Sequence, residues 1–251
     1  MRRTAVLASL FLFVGVGAQA GEITGKVLLK SGVRETPVAH QIVRLRILRD
    51  NMDFQAAEAE TDSQGTYRFR SLNTDFPYSY GAHVEFRGIP YDALPVRFGH
   101  ESNLRLPPFK VYPATGSPAD IEAAEKVFLR FSGNDVVSVS ESITFVNHGK
   151  EAYGPLGKDA RPIEIPLLRG GYGLNLLEGL TEDAVEIDSV RSVMLYRKAI
   201  FPGPGNQQTI QFSYLLPYRT RALSLAFPTN IARSGFDFVV QGRHGDIQTD
   251  R

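Results

Sequence analysis

The chain has 251 residues, with 28 Lys+Arg against 27 Asp+Glu and no cysteine, which is length enough for one large or two ordinary domains. This near-neutral balance gives no net electrostatic pull toward nucleic acid or an anionic membrane. Without thiols there are no disulfides, thiolate zinc sites, iron–sulfur clusters, covalent c-type haem or lipoprotein anchor, so stability must come from apolar burial.

Residues 1–20 carry Arg2 and Arg3, an apolar run from Ala5 to Val16, then Gly17-Ala18-Gln19-Ala20. That order of charged, apolar and small residues is an export leader cleaved after Ala20. Its apolar core is shorter than the roughly 20 residues that cross a bilayer, and no later segment of the mature chain reads as a membrane span. The expected location is periplasmic or extracellular.

From Gly21 to Tyr112 apolar residues recur with period two. Ile23, Val27 and Leu29 share a parity, as do Val43, Leu45 and Ile47. Phe76, Tyr78, Tyr80, Ala82, Val84 and Phe86 alternate with Pro77, Ser79, Gly81, His83, Glu85 and Arg87. A half-buried strand separates two such sets and a helix does not. Between these runs, Thr61-Asp62-Ser63-Gln64-Gly65 is a turn feeding Tyr67 and Phe69 on one strand face and Arg68 and Arg70 on the other. Pro107 and Pro108 belong at a strand end, an edge or a bulge. Residues 113–118, rich in Pro, Gly and Ser, read as a linker. Ser117-Pro118 with Asp120 and Glu122 also offers the start of a short helix reaching Lys126.

Alternation resumes in residues 119–251, at Val127, Leu129 and Phe131; Val137, Val139, Ile143 and Phe145; Ile163, Ile165 and Leu167; and Val193 and Leu195. It continues through Ile210, Phe212, Tyr214 and Leu216, then Leu223, Leu225 and Phe227, then Phe236, Phe238 and Val240. Glu141 interrupts its run and suggests a bulge or an exposed end. Turns are expected at 147–149, 169–171, 202–205 and 242–245. The reading is an all-β chain of two tandem antiparallel sandwiches at 21–112 and 119–251.

The segment Thr-Asp-x-x-Gly-x-Tyr-x-Phe at 61–69, with Gly21-Glu-Ile-Thr-Gly25 opening the region and Pro37-Val-Ala before a Val/Leu/Ile strand, resembles a carboxypeptidase regulatory-like domain. The resemblance implies a transthyretin-like Greek-key sandwich of about seven strands and an accessory rather than catalytic module. The second half, with Glu141-Ser-Ile-Thr-Phe-Val-Asn147, Ile165-Pro166-Leu167 and a Pro-Gly turn before Gln208-Thr-Ile-Gln-Phe-Ser-Tyr-Leu-Leu-Pro217, resembles the C-terminal, Ig-like or otherwise connected sandwich of exported bacterial proteins carrying that domain. The resemblance implies that relatives can continue into an anchoring helix; this chain stops at Arg251, read either as release in soluble form or as a shortened sequence. Some adhesive sandwiches with this hairpin form Lys–Asn isopeptide bonds, for which Lys26 or Lys30, Glu85 and Asn103 are the residues to try. Alternation turns both lysines and Glu85 toward solvent.

No catalytic constellation is legible. His100-Glu101-Ser-Asn-Leu104 begins like a zinc motif but has Leu104 where the second ligand belongs, and the other histidines, at 40, 83, 148 and 244, are unpaired in sequence. Ser234 lacks a nucleophile elbow, Gly170-Gly-Tyr-Gly173 precedes no helix, and Asp62 has no neighbouring carboxylates for calcium. No metal, cofactor or enzyme activity is expected. Phe76, Tyr78 and Tyr80 form a candidate sugar-stacking platform or, alternatively, core. The functional expectation is a non-catalytic binding or assembly module of the bacterial envelope, with a protein partner or alternatively a carbohydrate. A line of exposed aromatics would favour the glycan, an uncovered strand edge the protein, and a polar pocket where His and Asp converge an enzyme.

Overall fold

The computed structural model describes residues 20–49, 52–75, 77–131, 135–154, 162–217 and 231–241. The expected leader up to residue 19, Phe76, the run Leu223, Leu225 and Phe227, and the turn expected at 242–245 lie outside them. The chain is all-β: the described helical content is one 3-10 turn, Glu182–Ala184.

The first half forms β1 (Gly21–Ser31), β2 (Arg34–Pro37), β3 (Ile42–Arg49), β4 (Met52–Glu60), β5 (Thr66–Leu72), β6 (Ser79–Phe86), β7 (Ile89–Asp92), β8 (Asn103–Arg105) and β9 (Phe109–Val111). One sheet is built on β1, which pairs antiparallel with β2 and β5 and parallel with β8 and β9; the other runs β4-β3-β6-β7. Pro107 and Pro108 fall between β8 and β9, where no ladder donor is lost. The inward sets are those of the alternation: Ile23 and Val27 on β1, Val43 and Leu45 on β3, Tyr67 and Phe69 on β5, and Tyr80, Ala82 and Val84 on β6 share one core.

The 61–66 turn explains its own sequence. Asp62 Oδ1 accepts from the amides of Gln64 (2.8 Å) and Thr66 (2.9 Å), and the Thr66 contact holds the carboxyl below its ordinary pKa. Gly65 has φ +69°, and a Cβ there would stand 2.5 Å from the Val27 carbonyl oxygen. A side chain would therefore be strained and would push the turn off β1. Gly25 makes room for the core, since a Cβ there would collide with the Tyr67 ring and hydroxyl. Thr61, buried, donates to the Val38 carbonyl (2.7 Å) and accepts from the Gln41 amide (2.9 Å), tying the turn's root to the β2–β3 connection.

The second half forms β10 (Ala114–Thr115), β11 (Ile121–Phe131), β12 (Val136–Asn147), β13 (Ala152–Tyr153), β14 (Ile163–Pro166), β15 (Tyr172–Leu176), β16 (Val185–Asp188), β17 (Val193–Tyr196), β18 (Gln208–Pro217) and β19 (Ala232–Gln241). A sheet ordered β15-β18-β12-β11-β19 faces a sheet ordered β14-β17-β16 across a second core. Where a helix was an alternative up to Lys126, β11 runs as strand. On β17 the buried residues are Met194 and Tyr196, not Val193 and Leu195. All four residues of that strand are apolar, so alternation could not choose a face. The register with β14, Ile165 opposite Met194 and Ile163 opposite Tyr196, makes the choice.

Residues 113–118, read as a linker, are stitched into the fold. β10 pairs in parallel with β13; the Ala152 amide donates to the Pro113 carbonyl (2.7 Å) and that of Gly154 to Thr115 (3.1 Å). Phe201 packs its ring 5.1 Å from Tyr91 and 6.1 Å from Tyr112, and Ala152 and Ala199 join the first core. Exposed backbone is what proteases cut first, so 113–118 should resist limited proteolysis in the intact chain. Phe201→Ala should lower stability by up to about 3 kcal/mol and open this stretch to cleavage, read by mass spectrometry of the fragments.

Glu141 causes no bulge: β11 and β12 stay in continuous register from Ile121–Asn147 to Phe131–Val137, and Glu141 is 2% exposed inside the second core. Its Oε1 accepts from the Tyr214 hydroxyl (2.6 Å), and its Oε2 has no hydrogen-bond partner. Burial pushes its pKa up to about 8; the Tyr214 hydrogen bond opposes this, and the nearby Glu125 charge adds to it. Glu125, buried next door on β11, is also raised by burial, against the pull of Arg233 from β19, whose Nη2 lies 3.0 Å from Glu125 Oε2. A raised carboxyl pKa means the folded chain keeps a proton that the unfolded chain releases. Stability is therefore full below the unfolded value near 4.5 and falls as pH rises toward about 8. Thermal melts should drop by several degrees across that window, and Glu141→Gln should flatten the decline and exceed the parent chain's stability at pH 9.

Candidate functional site

The densest array of functional side chains lies on the outer face of the β4-β3-β6-β7 sheet. Strand alternation that buries Val43, Leu45 and Val84 necessarily sends Arg44, Arg46 and His83 to the other face. Register brings Arg44 opposite Glu58 and His83, and His83 opposite Asp92. A bulge between Leu45 and Arg46 shifts the β3–β4 pairing, placing Gln55 opposite Arg46 and Asp53 opposite Leu48.

These residues form two neighbouring cross-strand clusters, one around Glu58 and one around Asp92. Arg44 Nε reaches Glu58 Oε1 at 3.1 Å, and Gln55 Nε2 donates to the same oxygen at 2.9 Å. Arg46 donates from Nε to Asp53 Oδ1 (3.1 Å) and from Nη1 to Asp92 Oδ1 (3.3 Å). His83 Nδ1 lies 2.9 Å from that same Asp92 oxygen. Hydrogen bonding to Asp53 raises the Arg46 pKa further; partial burial opposes this, and the charges of Asp53 and Asp92 add to it. Gly81 sits opposite Arg46 on β6 and leaves the floor bare. The result is an open groove of about 590 Å³ lined by Arg44, Arg46, Asp53, Gln55, Glu58 and His83. The lining holds paired donors and acceptors but no hydroxyl, thiol or amine nucleophile. Among the described residues no group of three or more His, Cys, Asp or Glu is placed to hold a metal ion.

The opposite outer face, on the β1 sheet, is basic. Arg68 and Arg70 of β5 each place Nε 3.2 Å from a Glu22 oxygen, and Lys110 Nζ lies 3.0 Å from Glu35. Lys26 and Arg105 share this face, by the registers of β1 with β5 and β8. A shallow recess of about 510 Å³ is lined by Asp62, Thr66, Arg68 and Arg70.

The aromatic run behaves differently from a stacking platform. Tyr80 is 1% exposed and donates its hydroxyl to the Asn73 carbonyl (2.7 Å) from within the first core. Tyr78 is half-buried against that core, with the Arg49 guanidinium 5.2 Å above its ring and donating to its hydroxyl (3.0 Å). Phe76 lies outside the described residues. Tyr80 thus leaves no exposed three-ring line, because the inward parity of β6 claims it. Lys26 and Glu85 occupy opposite outer faces of the sandwich, so the isopeptide trial residues are not gathered. His40 pairs with Glu60 and His148 with Glu122, each on the surface.

No family model matches this sequence, and no curated protein matches it. Among solved structures, the chain is similar to a Bacteroides uniformis protein provisionally described as carbohydrate binding, at 12% identity over 76% of this chain and 78% of that one, TM-score 0.26. It is similar to the minor pilin GBS52 of Streptococcus agalactiae at 12% identity over 92% of this chain and all of the other, TM-score 0.25. A DUF3823 family protein from Parabacteroides merdae matches at 12% identity over 77% and 80% of the two chains, TM-score 0.25. At this level the similarities carry no assignment of ligand or activity.

The sequence pointed to the rings and passed over the charges. The available signal was the pairing of Arg44 and Arg46 with Glu58 and Glu60 on alternating strands; the bulge hid which residues meet. Because Arg46 and its partners are substantially exposed, their ion pairs are worth about 0–1 kcal/mol. Arg46→Ala should therefore change urea-unfolding stability by less than about 1 kcal/mol, leaving the fold intact for binding assays.

Proposed function

We propose that the chain is exported and works as a non-catalytic binding or assembly module of the bacterial cell envelope, engaging its partner through the outer faces of the first sandwich. The observation that carries this is the β3-centred groove: seven polar side chains held at defined spacing in two cross-strand clusters, with no hydroxyl, thiol or amine nucleophile among the lining residues. Fixed arginines and carboxylates suit a partner offering charges of both signs, which favours protein over neutral ligand. The leader-like residues 1–20 support export. The two separate cores support two sandwich domains, 21–112 and 119–251, and the turn at 61–69 supports a carboxypeptidase regulatory-like identity for the first.

A glycan is the second reading, supported by the planar Arg, Gln, Asp, Glu and His groups, which can hydrogen-bond neighbouring hydroxyls. An enzyme is the third: His83 and Asp92 converge beside the groove, and an Asp-oriented imidazole is a usable general base. One set of measurements separates them. Envelope-fraction cross-linking and a glycan array, each run with the parent chain and with Arg46→Ala, should show a protein adduct lost in the variant. A glycan signal lost in the variant instead moves the reading to carbohydrate. Turnover of esterase, glycosidase or peptidase substrates that His83→Ala abolishes would overturn the non-catalytic reading.

A further inference from the structure

The two outer faces of the first sandwich carry opposite charge. On the β1 sheet, Lys26, Arg68, Arg70, Arg105 and Lys110 stand against Glu22, Glu35 and the adjoining Asp62; on the β3 sheet, Asp53, Glu58, Glu60, Glu85 and Asp92 stand against Arg44 and Arg46. The chain as a whole is nearly neutral, so the separation comes from which parity each strand turns outward. Ion pairs within each face leave a surplus: among the described residues, Arg105 on the basic face and Glu85 on the acidic face have no ion-pair partner.

We propose that the partner of these faces is a second copy of this chain, the basic β1 face of one copy docking on the acidic β3 face of the next. This rests on the reading of the outer faces as binding surfaces and names what they bind. The charge complementarity is present within one molecule, so no outside partner has to supply it. The faces lie on opposite sides of one sandwich, so the contact is heterologous: each docked pair still exposes one face of each sign. It cannot close as a two-fold dimer, and it extends as a row unless its rotation closes a ring.

Size sets its strength. Four strands about 4.8 Å apart and about 27 Å long cover on the order of 500 Å² per copy, below the roughly 800 Å² per partner of a stable complex. Association is therefore weak, driven by charge and sensitive to salt. Such a contact suits crowded assembly on a surface better than a free dimer.

Sedimentation velocity of the purified chain should reveal concentration-dependent higher species at about 20 mM salt that dissolve at about 500 mM, where the Debye length shrinks several-fold. A basic-face reversal, Lys26→Glu with Arg105→Glu, and an acidic-face reversal, Glu60→Lys with Glu85→Lys, should each be monomeric alone. Mixed, they should associate again, since one now offers two acidic faces and the other two basic ones. Circular dichroism melts establish that both variants are folded; if one is not, the salt titration of the parent chain decides. A parent chain that stays monomeric at low salt, or folded variants that do not associate on mixing, overturns the proposal. If the monomer still captures an envelope protein or glycan in an Arg46-dependent way, the binding-module reading stands while self-association fails.

Discussion

The backbone ladder of β1 is the constraint on which the first sandwich depends. Along its eleven residues it serves β5 and then β2 as antiparallel partners and β8 and then β9 as parallel ones. A strand paired at both edges has its amides and carbonyls satisfied by protein and its alternate side chains committed to one core. That commitment explains the glycines beside it. Gly65 lets the 61–66 turn lie against Val27, and Gly25 lets the Tyr67 ring cover the strand. The buried Tyr67 hydroxyl has no partner, a cost of about 1–3 kcal/mol that burial of the ring and its contacts with Phe69 and Phe109 offsets.

The second sandwich meets a different condition. Its core encloses Glu141 and Glu125, groups that burial makes costly to ionise. Tyr214 answers one carboxyl oxygen and Arg233 neutralises the neighbour, so β19, an edge strand with Phe236 42% exposed, is tied to the interior by a charge as well as by its ladder with β11. Proton uptake, edge-strand docking and core packing are coupled at this one place. The seam between the cores is apolar by contrast: Phe201 meets Tyr91 and Tyr112 there, and β10 pairs with β13.

The outer faces follow from the inner ones. Once Val43, Leu45 and Val84 point inward, the charged residues between them must share the opposite surface, and strand order decides which charges become neighbours. β3 between β4 and β6 sets Arg44 among Glu58 and His83, and Arg46 between Asp53 and Asp92. The same logic on the β1 sheet collects arginines and lysines. On the proposed reading, function resides in this patterned surface rather than in a deep pocket.

The sequence by itself determined the all-β class and most inward positions, because period-two alternation is a local property of the chain and reports which face is apolar. It determined the 61–69 turn for the same reason, since Asp62 and Gly65 act within five residues of each other. It could not place Glu141, whose burial depends on Tyr214 and Arg233 arriving from distant strands, nor the face of β17, where every residue is apolar. It could not show that Pro113 and Thr115, in a stretch with the composition of a linker, take amide partners almost forty residues on. The groove was invisible because its side chains look like ordinary solvent-facing charges until register, including the bulge at Leu45 and Arg46, sets them side by side. Tertiary structure alone decided those pairings, since cross-strand contact depends on strand order and register, and neither is encoded at short range.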